Sequence, residues 1–236
     1  AKSRSSCGGG NMKFVPIMLN TAGRKLLIIG GGKAAALKLK YLVSRFDKIT
    51  VISDTFNDIA PTGNVEMIKL HIADTDILNE FVDSDTIVII ASDDDELNAR
   101  IREYCEKKGI LYNSVDRKDS PFIFPAVLYS NNVVVSVSTE GRSPSLSRFL
   151  KKKIAQTVEQ YSSALPVVEK LRSDMRNMEH GKRAIYFENL FRHDNFWELV
   201  NKGDYDGALK LARSLLLLEN PSKSSYEPIK NKNKLI

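Results

Sequence analysis

Cysteine, histidine and tryptophan are scarce in this chain, with two, three and one among 236 residues. Cys7 and Cys105 lie far apart, and neither has a partner at C-x-x-C or metal-ligand spacing. This spacing excludes a disulfide scaffold and a thiolate metal site. Such cysteine usage is typical of a reducing, intracellular compartment. We therefore predict a cytoplasmic protein.

Long apolar runs are also missing. No stretch approaches the roughly 18 uninterrupted apolar residues of a membrane span, and the N-terminus has no apolar signal core. The sequence therefore predicts no membrane partner. Residues 1–11, which contain a glycine triplet and end just before Met12, are expected to be an expression leader or a disordered tail.

The histidines are dispersed along the chain at positions 71, 180 and 193. No two of them have the spacing that places metal ligands on one helix face, so we predict no resident transition-metal site. His71, His180 and His193 are each expected to be structural or exposed.

Positive charge is concentrated in the C-terminal part. The net charge is +6; Lys+Arg and Asp+Glu number 18 and 18 in residues 1–145, but 17 and 11 in residues 146–236. This excess indicates either a solvated basic surface or one that faces a polyanion. Aromatic residues do not interleave with the basic ones, so the pattern predicts no nucleic-acid partner.

Three glycines separate an apolar run from an alanine-rich segment. The run Lys25–Gly30 predicts a strand, and a helix is predicted from Lys33 to about Arg45. Gly30, Gly32 and Ala35 match in order the dinucleotide-binding fingerprint, in which helix N–H groups hold a pyrophosphate. The alternative is a glycine turn without a nucleotide. The predicted cofactor-binding residues here are Gly30, Gly31, Gly32, Lys33 and Ala34.

A second strand, Ile49–Ile52, ends in Ser53, Asp54 and Thr55. Asp54 lies 22 positions after Gly32, and a carboxylate about 20 residues beyond the glycines commonly binds the ribose hydroxyls and disfavours a 2′-phosphate. We therefore predict that all three residues contact the cofactor and that the cofactor is NAD. The alternative is an Asx turn that ends the strand.

Strand and helix patterns alternate over the first half of the chain. This alternation predicts a doubly wound α/β sheet with its ligands at the carboxyl ends of the strands. Ser92, Asp93 and Asp94 follow a continuous apolar strand and are predicted to contact the cofactor. The remaining predicted elements are an edge strand at 14–19, strands at Val65–Leu70, Thr86–Ala91 and Ile110–Asn113, a helix from Asp74 to Val82, and an amphipathic helix that follows Ser92–Asp95 and runs through Lys108.

Four further motifs follow at fixed intervals: Ala91-Ser92-Asp93-Asp94, Asn113-x-Val115-Asp116, Phe122-Ile123-Phe124-Pro125-Ala126 and Ser138-Thr139-x-Gly141-x-Ser143-Pro144. With the glycine turn, they make residues 14 to about 155 resemble the precorrin-2 dehydrogenase family, the NAD-dependent module of siroheme synthases.

The resemblance implies an architecture in three parts. We expect a Rossmann-type NAD-binding domain over 12–115, a dimerisation and active-site segment over 116–160, and a small helical domain over 161–236. A strand is predicted from Asn132 to Ser138. Helix-period apolar positions predict four helices after residue 146, with turns at Ser162-Ser163, Gly181 and Gly203-Asp204. They form either a bundle packed on itself or, as the resemblance implies, a basic wall of the substrate cleft in a homodimer. The tail from Asn220 is expected to be mobile.

The resemblance also implies an activity: oxidation of precorrin-2 to sirohydrochlorin with reduction of NAD⁺, and in some members ferrous-iron insertion. Asp116 matches the aspartate to which the family assigns proton handling. A carboxylate can accept the proton that must leave when a hydride does, and burial would raise its pKa. The alternatives are a turn residue at 116, a reductase for another substrate, and a non-enzymatic NAD-sensing domain, which would need no carboxylate there.

The predicted substrate-binding residues are Asn113, Ser138, Thr139, Gly141, Arg142 and Ser143. The last five lie where a helix is expected to begin, with Ser143 as N-cap and Pro144 in the first turn. Exposed N–H groups there, together with Arg142, are also suited to substrate carboxylates. Members of the family often carry glycine at position 140 and Thr or Ser at position 142, so Glu140 and Arg142 are departures from the pattern.

Overall fold

The computed structural model describes residues 14–59 and 63–219. They divide into two compact units. The sheet unit contains the chain up to Phe124 together with Thr139–Ser143, and the helical unit contains Pro125–Ser138 and the chain from Pro144. The segment predicted at 116–160 is thus shared between the two units. The predictions for residues 1–11 and for the tail from Asn220 concern positions outside the described residues.

The sheet unit is built on five parallel strands in the order β3-β2-β1-β4-β5. Ile29 on β1 lies opposite Ile52 on β2 and Ile90 on β4. The carboxyl ends of the three central strands therefore finish together at one edge, and the predicted α/β sheet is confirmed. The strands are β1 Lys25–Ile29, β2 Lys48–Ser53, β3 Val65–Lys69, β4 Thr86–Ile90 and β5 Tyr112–Ser114.

Helices cover both faces of this sheet, as the continuous apolar pattern of β4 predicts. All five residues of β4 are buried. Leu26 and Ile28 pack with helix α1 (Lys33–Leu42), whereas Leu27 and Ile29 pack with helix α2 (Asp95–Lys108) on the opposite face. Each such side chain contributes about 1.5–3 kcal/mol on full burial. The sheet is thereby a rigid base for the loops at its carboxyl edge.

One local prediction for the sheet unit is wrong, and another is confirmed only in part. Residues 14–19 form no strand. Val15, Ile17 and Met18 are 79%, 76% and 73% exposed, so their side chains gain no burial that would stabilise a strand. Pro16 also has no N–H to donate to a neighbouring strand. The segment predicted as a helix from Asp74 to Val82 is a 3₁₀ helix, Thr75–Glu80. It ends where the N–H groups of Phe81 and Val82 both donate to the carbonyl of Leu78.

The helical unit begins with an antiparallel hairpin of β6 (Ala126–Ser130) and β7 (Val133–Val137). Its two turn residues, Asn131 and Asn132, are left-handed, with φ of 44° and 64°. Asparagine tolerates this conformation, and two such residues form the tight turn that suits a hairpin. The strand predicted from Asn132 to Ser138 is confirmed as β7, whereas β6 was not predicted.

Five helices follow: α3 Pro144–Ser162, α4 Leu165–Asp174, α5 His180–Phe191, α6 Asp194–Asn201 and α7 Tyr205–Glu219. The last four share one core, in which the Tyr186 hydroxyl donates to the Ala212 carbonyl at 2.6 Å. No helix in the described part of the chain is long and apolar enough to cross a bilayer.

The prediction of four helices is wrong, because the third one is divided at Arg192-His193. The N–H groups of these two residues donate back to Asn189 and Leu190, which ends α5. The break lets Phe196 on α6 enter the same core as Leu190 on α5. Gly181 was predicted to mark a turn, but it lies in the first turn of α5.

Lys38 on α1 is a partly buried cation whose charge opposes folding. Its ammonium lies 4.0 Å from the centroid of the Phe124 ring, and burial lowers the pKa of Lys38 to about 8. Lysine in an unfolded chain keeps a pKa of about 10.4. The unfolded state therefore binds more protons between these two pH values, and the free energy of unfolding rises with pH across that interval.

We expect Lys38→Met to raise the free energy of unfolding at neutral pH by about 1–2 kcal/mol, because it removes the desolvated charge. It should also abolish the rise between about pH 8 and about pH 10.4. Urea denaturation at several pH values measures both effects. Lys40→Met, at an exposed position on the same helix, is the control. An unaltered rise in the Lys38 variant would contradict this assignment.

Candidate active site

A cleft of about 530 Å³ lies at the carboxyl edge of the sheet. It is lined by the glycine loop after β1, by the residues that follow β2 and β3, and by the loop after β4. The structure brings all eleven predicted cofactor residues to this one cleft. They are Gly30, Gly31, Gly32, Lys33, Ala34, Ser53, Asp54, Thr55, Ser92, Asp93 and Asp94.

The three glycines differ in what a side-chain Cβ would meet at each position. Gly30 has φ of +121°, and a Cβ there would collide with the carbonyl oxygen of Ala91. A Cβ on Gly31 would collide with the carbonyl oxygen of Thr55. A Cβ on Gly32 would meet no protein atom within 4 Å. The protein's own packing therefore requires glycine at positions 30 and 31, whereas at position 32 it leaves open space.

The start of α1 has the features of an anion site. Its N-cap is Gly32, and no side chain caps this helix end among the described residues. The N–H groups of the first turn therefore remain available for a ligand, and Lys33 adds a positive charge at the same end. Ala35 is fully buried in the core beneath, which brings helix and strand close together. A dinucleotide pyrophosphate fits this arrangement.

The loop after β4 is held by a set of short hydrogen bonds. The Asp94 carboxylate accepts from the Leu97 N–H at 2.9 Å and caps α2. The Ser92 hydroxyl accepts from the Asp94 N–H at 3.0 Å, and the buried Asn98 amide donates to the Ser92 carbonyl at 3.0 Å. This side of the cleft is therefore fixed before any ligand binds.

His71 lies in the cleft and was not predicted to belong to it. Its Nδ1 lies 3.0 and 3.2 Å from the two carboxylate oxygens of Asp54. Neighbouring parallel strands carry the two residues: Asp54 directly follows β2, and His71 comes two residues after β3. The available signal was the predicted end of β3 near Leu70, since parallel strand ends share one edge. Other lining residues were also missed, among them Asn57, Asp58, Leu97 and Val115.

Asp116 directly follows Val115, which lines the cleft. Its carboxylate accepts a hydrogen bond from Arg102 Nη1 at 3.0 Å and another from the Ser114 hydroxyl. Burial acts to raise the pKa of Asp116, but hydrogen bonds from Ser114 and the backbone and the charge of Arg102 outweigh it. The net pKa lies below the ordinary value. The rise that burial alone would cause is therefore outweighed, and Asp116 is ionised at neutral pH.

Arg102 was not predicted as a site residue. It projects from α2, and its guanidinium also lies 3.3 Å from the Ser114 hydroxyl. The amphipathic pattern of α2 placed it on a helix but did not show which loop it reaches. Ser114 and Arg102 together fix both carboxylate oxygens of Asp116.

Asn113 is buried at 5% exposure. Its Nδ2 donates to the Phe122 carbonyl at 3.0 Å, and the neighbouring Ser114 N–H donates to Ser120 Oγ at 3.0 Å. These bonds fold the loop after Asp116 back on β5. Asn113 thus shapes this loop, and its contact with a substrate stays a prediction.

The segment Ser138–Ser143 forms a tight turn before α3. The Thr139 hydroxyl accepts from the Ser143 N–H, and the Thr139 carbonyl accepts from the Arg142 N–H, both at 2.9 Å. Glu140 and Gly141 are left-handed, with φ of 52° and 76°, which explains why glycine suits position 140. Arg142 Nη2 lies 3.7 Å from Glu140 Oε2. Pro144 begins α3 as predicted.

The described residues contain neither a cluster of metal-ligating side chains nor a reactive thiol. In this part of the chain, no three His, Cys, Asp or Glu side chains come together as a group that could hold a metal. Burial raises the pKa of the Cys105 thiol to about 12, so it stays protonated and unreactive.

Comparison with known proteins is consistent with this geometry. Residues 17–126 match the family model described as "Putative NAD(P)-binding". A precorrin-2 dehydrogenase of Methanosarcina barkeri is 30% identical over 211 residues, which cover 86% of this chain and 93% of that protein. Siroheme synthase 1 of Aeromonas salmonicida is 26% identical over 220 residues, or 90% of this chain and 46% of that protein. The chain thus spans about half the length of the siroheme synthase.

A solved structure has the same fold. It is SirC, precorrin-2 dehydrogenase, with a TM-score of 0.63 and 20% sequence identity, covering 84% of this chain and 99% of that one. The sheet order, the glycine loop and the cleft define a dinucleotide-binding α/β protein. Within that class, the chain belongs to the precorrin-2 dehydrogenase family. The resemblance seen in the sequence is confirmed, and the cofactor that the family and the matched model imply is NAD.

Proposed function

We propose that this protein oxidises precorrin-2 to sirohydrochlorin with NAD⁺ as the oxidant, in the biosynthesis of siroheme. The observation that carries the proposal is an ionised carboxylate, Asp116, which directly follows Val115, a residue that lines the glycine-loop cleft. The relative from Methanosarcina barkeri, which this chain matches over most of its length, is named for the same reaction. The predicted cytoplasmic location stays a prediction.

The reaction removes one hydride and one proton from the tetrapyrrole and yields NADH. Bound NAD⁺ supplies the hydride acceptor. The glycine loop and the start of α1 hold its pyrophosphate, and the pair of loops after β2 and β3 faces its ribose. A carboxylate placed beside this cofactor can take the proton that leaves a neighbouring atom as the hydride departs. We assign that role to Asp116.

The contacts around Asp116 keep it ionised and oriented. Because hydrogen bonds from Ser114 and the charge of Arg102 keep the pKa of Asp116 below its usual range, the carboxylate carries no proton at neutral pH and can receive one, although the same contacts make it a weaker base. The same two contacts fix its orientation, so little reorganisation is needed when the proton arrives. Arg102 is therefore a positioning residue. Substrate carboxylates are assigned to Arg142.

The direct test is to incubate the protein with precorrin-2 and NAD⁺ under anaerobic conditions and to follow NADH by its absorbance. Turnover with the formation of sirohydrochlorin is the expected result. NAD⁺ binding measured by calorimetry, without turnover, would contradict the enzymatic proposal and favour a non-enzymatic NAD-sensing domain. Turnover only with another reduced substrate would favour the alternative reductase.

We also propose that the protein is a homodimer that associates through its hairpin and α3. Leu146, Phe149 and Leu150 on α3 are 47%, 54% and 38% exposed, and they share one helix face by their spacing. Within the described residues, β6 and β7 form a sheet of only two strands, which leaves both outer edges open. A two-stranded sheet is only marginally stable by itself, and a second copy of this surface would cover it.

We expect the wild-type protein to sediment as a dimer and Phe149→Asp to shift it to a monomer, because the new charge would be buried in the interface. Analytical ultracentrifugation measures both masses. Leu37→Asp introduces the same charge at a residue of the sheet unit that is 70% exposed, and it should leave the dimer intact. A monomeric wild-type protein, or an equal effect of both variants, would contradict the proposed interface.

A further inference from the structure

The pair formed by Asp54 and His71 places an imidazole where the ribose of a dinucleotide is recognised. Asp54 holds the position, directly after the second strand, at which a carboxylate binds the ribose hydroxyls. His71 Nδ1 contacts both oxygens of that carboxylate, at 3.0 and 3.2 Å. Both side chains line the cleft and are largely exposed to it, so a ligand can reach them.

Every other element that lines this end of the cleft contributes charges of known sign. Asp58 follows β2, Asp93 and Asp94 follow β4, and Lys33 begins α1. Lys69, at the end of β3, lies opposite Ser53 in the sheet register. With Asp54, the lining residues thus include four carboxylates and one lysine. This excess of negative charge disfavours an additional phosphate on the ribose of the ligand. A proton on His71 would reduce this excess.

We propose that His71 determines how strongly the site rejects the 2′-phosphate of NADP. When His71 is neutral, its Nδ1–H donates to Asp54, and the pair keeps one negative charge that repels a 2′-phosphate. When His71 is protonated, the pair is neutral overall and presents an imidazolium beside the ribose. The preference for NAD over NADP is then smaller. The inference rests on the proposed cofactor site but not on the identity of the tetrapyrrole.

The test compares dissociation constants for NAD⁺ and NADP⁺, measured by titration calorimetry at about pH 6 and at about pH 8. For the wild type, we expect the preference for NAD⁺ to be about threefold smaller at the lower pH, the scale of an exposed ion pair. The 2′-phosphate itself also titrates near about pH 6. His71→Gln keeps a hydrogen-bond donor but cannot carry a positive charge. Its pH dependence therefore reports the contribution of the 2′-phosphate alone, and the difference from the wild type reports the contribution of His71.

We expect His71→Gln to lose this threefold decrease and to prefer NAD⁺ more strongly than the wild type at about pH 6. His180→Gln, at an exposed position in the helical unit, should behave as the wild type. Asp54→Asn should lower the preference at both pH values by about tenfold, because it removes the repelling charge. Equal pH dependence in the wild type and His71→Gln, or an unchanged preference in Asp54→Asn, would overturn the proposal. Failure of precorrin-2 turnover would leave these binding ratios intact.

Discussion

Asp116→Asn is expected to lower kcat with precorrin-2 by about 10²–10⁴-fold, the usual contribution of a positioned general base. The amide has the shape of the carboxylate but cannot take the proton that leaves the tetrapyrrole. The dissociation constant for NAD⁺ should stay within about twofold of the wild-type value, since the cofactor is assigned to the glycine loop and the strand ends. Stopped-flow measurement of NADH formation and calorimetric titration of NAD⁺ separate the two effects.

A matched control lies on the same loop. Asp119 is an exposed carboxylate that pairs with Arg117 at 2.6 Å, and Asp119→Asn should leave kcat unchanged. If Asp116→Asn turned over precorrin-2 as fast as Asp119→Asn, Asp116 would have no part in the proton transfer.

The pH profile gives a second readout that a merely structural role would not change. Arg102 and Ser114 depress the pKa of Asp116, so the wild-type enzyme should keep its base ionised to a pH below the ordinary aspartate range. Arg102→Gln removes the positive charge while it retains a donor. The acidic limb of kcat against pH should therefore move to higher pH in this variant, because the base is protonated sooner as the pH falls.

Alanine substitutions in the glycine loop should separate folding from cofactor binding. Gly31→Ala is expected to lower the free energy of unfolding by about 3 kcal/mol, since its Cβ would collide with the backbone carbonyl of Thr55 and the two loops must move apart. Gly30→Ala should cost at least as much, because it adds a left-handed φ to a collision with Ala91. Thermal denaturation without ligand measures both losses.

Gly32→Ala is the matched comparison. Its φ is −91°, and a Cβ there meets no protein atom within 4 Å, so the unliganded protein should unfold within about 0.5 kcal/mol of the wild type. Its affinity for NAD⁺ should nevertheless fall by about tenfold or more, because the methyl group occupies the approach of the pyrophosphate to the helix start. Wild-type affinity in Gly32→Ala would show that the pyrophosphate does not lie on this loop.

The elements that the sequence predicted correctly have a strong local signal. The β4 run from Ile87 to Ile90 is continuously apolar, as a strand buried on both faces must be, and the turn after β1 requires glycine at positions 30 and 31. The errors occurred where local signals are weak or compete with packing. The apolar segment at 14–19 has strand-forming residues but no neighbour to pair with, and the break after Phe191 depends on how Phe196 reaches a core shared with α5.

The sequence by itself determined the sheet, the glycine loop and the family, because each depends on residue types at short, fixed spacings along the chain. Only the tertiary structure decided which distant side chains meet. His71 reaches Asp54 because β3 lies beside β2 in the same register. Arg102 reaches Asp116 because α2 packs against β5. Its charge adds to the hydrogen bonds from Ser114 and the backbone, and together they outweigh the rise in the pKa of Asp116 that burial alone would cause. Such pairings depend on the three-dimensional arrangement of the strands and helices, and no spacing in the chain records them.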